Sequence, residues 1–432
     1  MHLGGRLAAA IEVLADVEAR RRPVADALKD WGLSHRFAGS GDRSAIGNIV
    51  YDALRHRASI AWAMEADTPR ALALGAVGRH WSIGADRLAA SLEGDPHAPA
   101  PLSDAERKGL AADLSSAPSH IRADVPEWLA PQFEAAFGPD WAEEGAALAE
   151  RPPLDMRANT LKADREKVLR ALMRQGAAPA PFAPQGVRIA PTVNGARHLN
   201  VQAEAAFQKG WFEIQDEGSQ LASLFVGARP GDQVLDLCAG AGGKTLALAA
   251  AMENKGQIHA TDTDRLRLAP IHERLRRAGT RNVQVHEPGA PLDSVAGRMD
   301  RVLIDAPCTG VGTWRRRPDA KWRVSERALA DRCAEQAALL DRAVRFLRPG
   351  GAIAYVTCSL LPAENAEQVR AFVARHRGFA ATPGAELVAA SALPEGARTN
   401  LAGSALLLTE GVVLSPRRTA TDGFFVALLR RV

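Results

Sequence analysis

The sequence predicts an α/β protein whose second half is a doubly wound, mainly parallel sheet, preceded by a small α/β segment and a helical front. Three observations carry this. From about residue 206, short apolar runs alternate with helical patterns, the rhythm of repeated βαβ units. One run, Val234-Leu235-Asp236-Leu237-Cys238, enters a glycine-rich turn that opens a helix. Two others end in cysteines, Val302-Leu303-Ile304-Asp305-Ala306-Pro307-Cys308 and Ile353-Ala354-Tyr355-Val356-Thr357-Cys358-Ser359. Both are rich in branched residues and too short for helices, as buried parallel strands are. Open α/β sheets bind ligands beyond the carboxyl ends of their strands, so both thiols and the turn are expected at one edge.

In chain order, residues 1–121 read as a helical domain. Leu7, Ile11, Leu14 and Val17 share one helical face, and a second helix starts near Asp42 and runs through Ile46, Ile49, Val50 and Leu54. Gly94 to Ser103 and Ser115 to Pro118 read as loops. Residues 122–205 form a small α/β unit: a helix from Pro126 to Phe137, a strand over 154–159, a helix from Arg165 to Gln175 stopped by Gly176, and a short strand from Gly186 to Ala190. Residues 206–432 carry strands expected at 233–237, 257–261, 282–286, 301–305 and 352–357. The helices lie at 218–226, 243–252, 265–278 and 325–347, the last stopped by Pro349-Gly350-Gly351. The tail adds strands at 405–408, 412–414 and 424–429.

A length of 432 residues suggests two or three domains, and 47% hydrophobic with 24% charged residues is ordinary globular composition. The net charge is +4 and the isoelectric point near 9.0, mildly basic. Arginines cluster at 20–22, 274–277, 315–317 and 417–418, either as solvated surface or as phosphate contacts. The four cysteines, Cys238, Cys308, Cys333 and Cys358, include no CxxC pair. Neither a disulfide framework nor a metal site is expected, and a reducing cytoplasm is. Glu12 and Asp16 make the first helix amphipathic rather than a signal peptide. No uncharged run approaches the about 20 residues of a membrane helix, and a monomer is expected.

The turn reads Asp236-Leu237-Cys238-Ala239-Gly240-Ala241-Gly242-Gly243-Lys244-Thr245. A phosphate loop needs glycine six positions before the lysine, where Cys238 stands, and the dinucleotide GxGxxG fails at Thr245. The remaining Asp-x-Cys-x-Gly-x-Gly resembles the first motif of class I S-adenosylmethionine methyltransferases, which implies a Rossmann-like domain. Cys238, Ala239, Gly240, Ala241, Gly242, Gly243 and Lys244 would then line S-adenosyl-L-methionine. An acid about 20 residues on can accept ribose hydroxyls; Asp262 is the choice and Asp264 the runner-up. Glu287, ending the next strand, would meet the adenine edge.

With the turn, Asp305-Ala306-Pro307-Cys308 and Thr357-Cys358-Ser359 resemble RNA cytosine-5 methyltransferases of the RsmB/Nop/Sun type. Gln215-Asp216-Glu217-Gly218-Ser219-Gln220, Arg317-Pro318-Asp319-Ala320-Lys321-Trp322, Glu364-Asn365, Asp422-Gly423-Phe424-Phe425, and Arg157 with Asn159 extend the likeness over residues 123–432. Gly240-Ala241 departs from the family's Ala-Pro at the turn. The resemblance implies an antiparallel closing strand, an RRM-like small domain, an RNA partner, and a catalytic set of Cys358, Cys308, Asp305 and Lys244. Carbon 5 of cytosine is a poor nucleophile; a thiolate added at carbon 6 turns it into an enamine that can take a methyl group. The family likeness assigns that thiolate to Cys358 and the later release to Cys308, with Asp305 at the cofactor's edge and near cytosine N3. Lys244 or Lys321 would favour the Cys358 thiolate. Arg157, Asn159, Arg315, Arg316, Arg317, Lys321 and Trp322 would contact RNA, although Trp314 and Trp322 could instead pack a loop. Cys333 is expected in the core and Cys238 without chemistry of its own.

Asp42-Arg43 and Ile46 to Arg55 resemble one helix of the NusB-like RNA-binding domain, here degenerate. That front favours small-subunit ribosomal RNA over transfer RNA. A ribosome-assembly factor that binds RNA without methylating it, and an amino-group methyltransferase, are the competing classes. The cysteine pair argues against the first, and Asp305-Ala306-Pro307-Cys308 against the second.

Overall fold

The computed structural model describes residues 1–191 and 200–431, which divide into two compact units. The first unit is helical and contains Met1–Arg151 together with Trp314–Arg323. Its first helix, Leu3–Arg20, buries Leu7 and Leu14 completely and half-buries Ile11 and Val17, the face that the spacing predicts. The helix Ser40–Arg55 adds Ile46, Ile49, Val50 and Ala53 to the same core. Between them lies Val24–Ser34, a helix the sequence reading left out. The unit continues past residue 121 to Arg151, because Ala130–Phe137 and Trp141–Ala147 also pack within it.

Residues 314–323 return to this helical unit from the far end of the chain. Trp314 is fully buried, its ring 6.2 Å from that of Phe133. Arg55 donates through Nη2 to the Arg315 carbonyl at 3.0 Å, and Lys321 Nζ donates to the Arg55 carbonyl at 2.7 Å. Trp322 Nε1 donates to the Leu54 carbonyl at 2.7 Å.

The second unit holds two sheets. The smaller has strands β1 (Leu154–Ala158), β2 (Ala178–Pro179), β3 (Gly186–Ile189) and β4 (Phe212–Ile214) in the antiparallel order β2-β3-β1-β4. The larger is built from β5 (Gln233–Asp236), β6 (Gln257–Ala260), β7 (Val283–Val285), β8 (Met299–Asp305), β9 (Leu347–Thr357), β10 (Phe379–Ala381), β11 (Leu406–Leu407), β12 (Val412–Leu414) and β13 (Phe424–Arg431). Its order is β11-β12-β13-β9-β8-β5-β6-β7, with β10 on β13. The strands β9-β8-β5-β6-β7 run parallel and β13 is antiparallel to β9. The order reverses between β5 and β8, which opens a crevice at their carboxyl ends.

Two boundaries differ from expectation. The helix expected over 265–278 is split into Arg265–Leu268 and Ile271–Ala278, because Pro270 interrupts the backbone hydrogen bonding. The helix expected to reach 347 ends at Ala343, and β9 begins at Leu347, through Pro349-Gly350-Gly351. A register shift absorbs those residues: Met299 faces Leu347 while Arg301 already faces Ala352. Among the described residues, no helix is long and apolar enough to cross a membrane.

Candidate active site

β5 ends at Asp236, which is 1% exposed and accepts a hydrogen bond from Thr245 Oγ1 at 2.7 Å. Burial pushes its carboxyl up to about 7. The pair ties the strand to the first turn of the helix Gly243–Ala251, with the glycine turn strung between. Gly242 has φ of +85°, and a Cβ there would come within 2.5 Å of Ile271, so both conformation and space demand glycine. Arg274 Nη1 donates to the Ala241 carbonyl at 2.8 Å and bridges to Glu213. That member of the 274–277 cluster braces the turn.

Asp262 lies just beyond β6 and is 4% exposed. Its Oδ2 accepts the Gly240 N–H at 2.8 Å and its Oδ1 the Asp264 N–H at 2.9 Å. Asp264 caps the next helix by accepting from Leu266 and Arg267 N–H groups, which separates the two candidate acids. A Cβ built on Gly243 meets nothing within 4 Å, and one on Gly240 meets only Arg267 at 3.7 Å and Asp262 at 3.9 Å. An open, side-chain-free cradle bordered by a buried acid suits an adenosyl group, and these residues fit S-adenosylmethionine. Glu287 is exposed beyond the end of β7.

Across the crevice, Lys244 Nζ lies 2.7 Å from Asp305 Oδ2 at the end of β8, and 5.1 Å from the Phe424 ring centre. Cys308 and Cys358 follow the ends of β8 and β9. Their sulfurs are 3.4 Å apart, both residues are partly exposed, and both thiols are free. The sulfur–sulfur hydrogen bond, then burial, pushes the Cys308 thiol well above its ordinary range. Burial also raises Cys238 strongly. Cys333 donates to the Ala363 carbonyl at 3.4 Å, and burial takes its thiol up to about 11.

Three residues without an assigned role in the sequence reading surround the thiols: Gln336, Glu364 and Asn365, all within 2% of full burial. The Glu364-Asn365 pair was visible in the sequence, but nothing local says what it holds. Gln336, on a long helix, carries no signal at all.

The RNA-contacting set needs correction. Asn159 is 2% exposed, its amide donating to the Gly210 and Ala278 carbonyls; Arg157 is 7% exposed, with Nε donating to Gln215. Both tie the small sheet to its neighbours and do not face solvent. Arg315 and Lys321 are buried, and Trp322 is half-buried with its N–H spent on Leu54. Burial lowers the Lys321 ammonium to about 8. This segment serves the helical core, and Lys321 is committed there rather than to a thiolate. Of the triplet, Arg316 is half-buried and Arg317 exposed.

Comparison with known proteins agrees with this architecture. Residues 224–430 match the family described as 16S rRNA methyltransferase RsmB/F, and residues 125–194 match the RsmF/B-like ferredoxin-like domain. Ribosomal RNA small subunit methyltransferase B of Klebsiella pneumoniae subsp. pneumoniae is 33% identical over 308 residues, 70% of this chain and 65% of that protein. The chain therefore spans just under two thirds of that relative's length. The protein of the same name from Citrobacter koseri is 32% identical over 328 residues, 75% of this chain and 70% of that one. The crystal structure of PH0851 superposes with a TM-score of 0.72 at 24% identity over all of both chains, a likeness of fold. With its sheet order, glycine turn and paired cysteines accounted for, this chain belongs to the RsmB/F methyltransferase family.

Proposed function

We propose that this protein transfers a methyl group from S-adenosylmethionine to carbon 5 of a cytosine in small-subunit ribosomal RNA, through a covalent adduct on Cys358. The observation that carries the reading is the 3.4 Å separation of two partly exposed thiols at the carboxyl edge of the sheet. The cofactor supplies an electrophilic methyl group as a sulfonium. Asp262, the open glycine turn and the Lys244–Asp305 pair border the volume it would take.

Cys358 Sγ bonds to carbon 6 of the ring, and carbon 5 then takes the methyl group. Asp305, about one third exposed, hydrogen-bonds near N3, where a proton stabilises the adduct. Cys308 assists removal of the carbon-5 proton, and the bond between Cys358 Sγ and carbon 6 breaks as the double bond reforms. The 3.4 Å separation of the Cys308 and Cys358 sulfurs, which lets both reach one pyrimidine ring, supports this division. A cytosine in structured RNA must first be unstacked, at a cost of a few kcal/mol. Action on ribosomal RNA implies a cytoplasmic protein.

The test is methyl transfer from labelled cofactor to protein-free small-subunit ribosomal RNA, with transfer RNA as a parallel substrate and bisulfite mapping of the product. Label at carbon 5, lost on Cys358→Ala, is the expected result. Label on an exocyclic amine, or turnover in the absence of Cys358, overturns it.

A further inference from the structure

We infer that the adjacent residues Glu364 and Asn365 are a positioning pair, each bracing neighbours of one of the two cysteines, Glu364 with the help of Gln336. The inference rests on the covalent reading above and adds the residues that set the distance between the thiols.

The hydrogen bonds divide cleanly. Glu364 Oε1 accepts the Thr309 N–H at 2.8 Å, and Oε2 accepts the Thr309 hydroxyl at 2.5 Å. Gln336 Nε2 donates both to Glu364 Oε1 at 3.1 Å and to the Pro307 carbonyl at 3.0 Å. Residues 307 and 309, on the two sides of Cys308, are therefore held by one carboxylate and one amide. Asn365 does the same for the other thiol. Its Oδ1 accepts the Thr357 hydroxyl at 2.5 Å, and its Nδ2 donates to the Ser359 carbonyl at 2.9 Å. The dipeptide is itself anchored, because Tyr355 donates its hydroxyl to the Glu364 carbonyl at 2.6 Å.

Burial makes these bonds stiff. Glu364, Gln336, Tyr355, Thr357 and Ser359 are 0% exposed and Asn365 2%. In such surroundings each hydrogen bond made is stiff, and breaking one leaves a buried polar group without a partner, as Gln336 Oε1 already is. The identity of Glu364 follows from the donors around it. Thr309 presents an N–H and an O–H, and Gln336 an N–H, all directed at one carboxylate. A glutamine would turn an NH2 group towards one of these donors. Its negative charge also adds to the forces that keep the Cys308 thiol protonated, after the Cys358 hydrogen bond and burial. Facing Cys308 from the packed elements are Cys358 and Tyr355 on and after β9 and Glu364 beyond it. Cys333 on the helix Glu326–Ala343 stands near Glu364. Of these, Glu364 alone carries a carboxyl group.

The experiment uses Glu364→Gln and Asn365→Ala in the full chain, with Thr309→Val and Thr357→Val as milder variants that remove one hydroxyl donor each. Two quantities are read. The first is kcat and KM for methyl transfer. The second, independent of turnover, is the rate at which diamide joins Cys308 to Cys358, two thiols being oxidised to a disulfide as diamide is reduced to its hydrazine, followed by peptide mapping. Expected are a fall in kcat of about 10- to 100-fold, cofactor KM within about twofold of the original, and slower cross-linking. The valine variants should shift in the same direction by a smaller factor. Alkylation of Cys308 in Glu364→Gln should begin at lower pH than in the unaltered protein. Folded variants with unchanged kcat and unchanged cross-linking rate overturn the inference. If Cys358→Ala still turns over while the clamp variants cross-link slowly, the covalent reading falls and the positioning of the thiols stands.

Discussion

Lys244 Nζ and Asp305 Oδ2 lie 2.7 Å apart across the crevice between β5 and β8. One residue opens the helix after the glycine turn and the other ends the neighbouring strand, so the ion pair joins the cofactor side of the edge to the cysteine side. The lysine is 7% exposed and the aspartate 34%. Removing the acid strands the more deeply buried charge. Asp305→Ala should therefore lower the melting temperature more than Lys244→Met does, while both reduce methyl transfer by about 100-fold or more. Thermal melts beside initial rates check the order.

The two cysteines should fail in different ways. Cys358→Ala is expected to lose turnover and any covalent protein–RNA species. Cys308→Ala should accumulate that species because release is blocked. Denaturing gels after incubation with RNA and cofactor separate the outcomes, and normal turnover of Cys308→Ala without an adduct would refute the assignment.

Two buried acids should contribute less to stability as pH rises from about 4 to 7. Burial places Asp236 and Glu217 each at about 7 in the folded protein, well above their unfolded values. Between about pH 4 and pH 7 the folded state holds more protons than the unfolded one, so folding is progressively weakened as pH increases and levels off above pH 7. Asp236→Asn should flatten the pH dependence of the melting temperature; an unchanged slope would contradict the burial argument.

Gly312 carries a different constraint. A Cβ there would sit 2.1 Å from the Gly423 carbonyl oxygen, and its N–H donates to the Cys358 carbonyl at 3.0 Å. Gly312→Ala must push two backbones apart beside Cys358. A loss of about 1–3 kcal/mol in stability is expected, with slower methyl transfer, read by denaturant titration and rate.

The buried 314–323 segment makes a contrasting prediction. Trp314→Ala should destabilise the protein by about 3–5 kcal/mol. Lys321→Met should leave the salt dependence of RNA binding unchanged, because a buried ammonium displaces no counterions from phosphate. A shallower salt slope for Lys321→Met would restore the RNA-contact role.

The extent to which the site was legible differs from residue to residue. Asp236, Asp262, Asp305, Cys308 and Cys358 were readable because each terminates or closely follows a short apolar run, and an open parallel sheet sends such ends to one edge. The roles of Arg315 and Lys321 were not, since charge in a sequence says nothing about exposure. Their partner Arg55 lies about 260 positions away, and only folding brings the groups together. The Ala343 helix end was similarly hidden, because a register shift opposite Met299 admits Pro349 and two glycines into a strand.

By itself, the sequence determined the strand–turn–helix punctuation, the chemistry available at each strand end and the family likeness, all of which are local patterns of residue type. The tertiary structure alone decided the 3.4 Å between the sulfurs, the use of Asp264 as a helix cap, and the commitment of Glu364 and Asn365 to separate cysteines. Those are distances between groups far apart along the chain, and they exist only once burial has removed water as the competing partner.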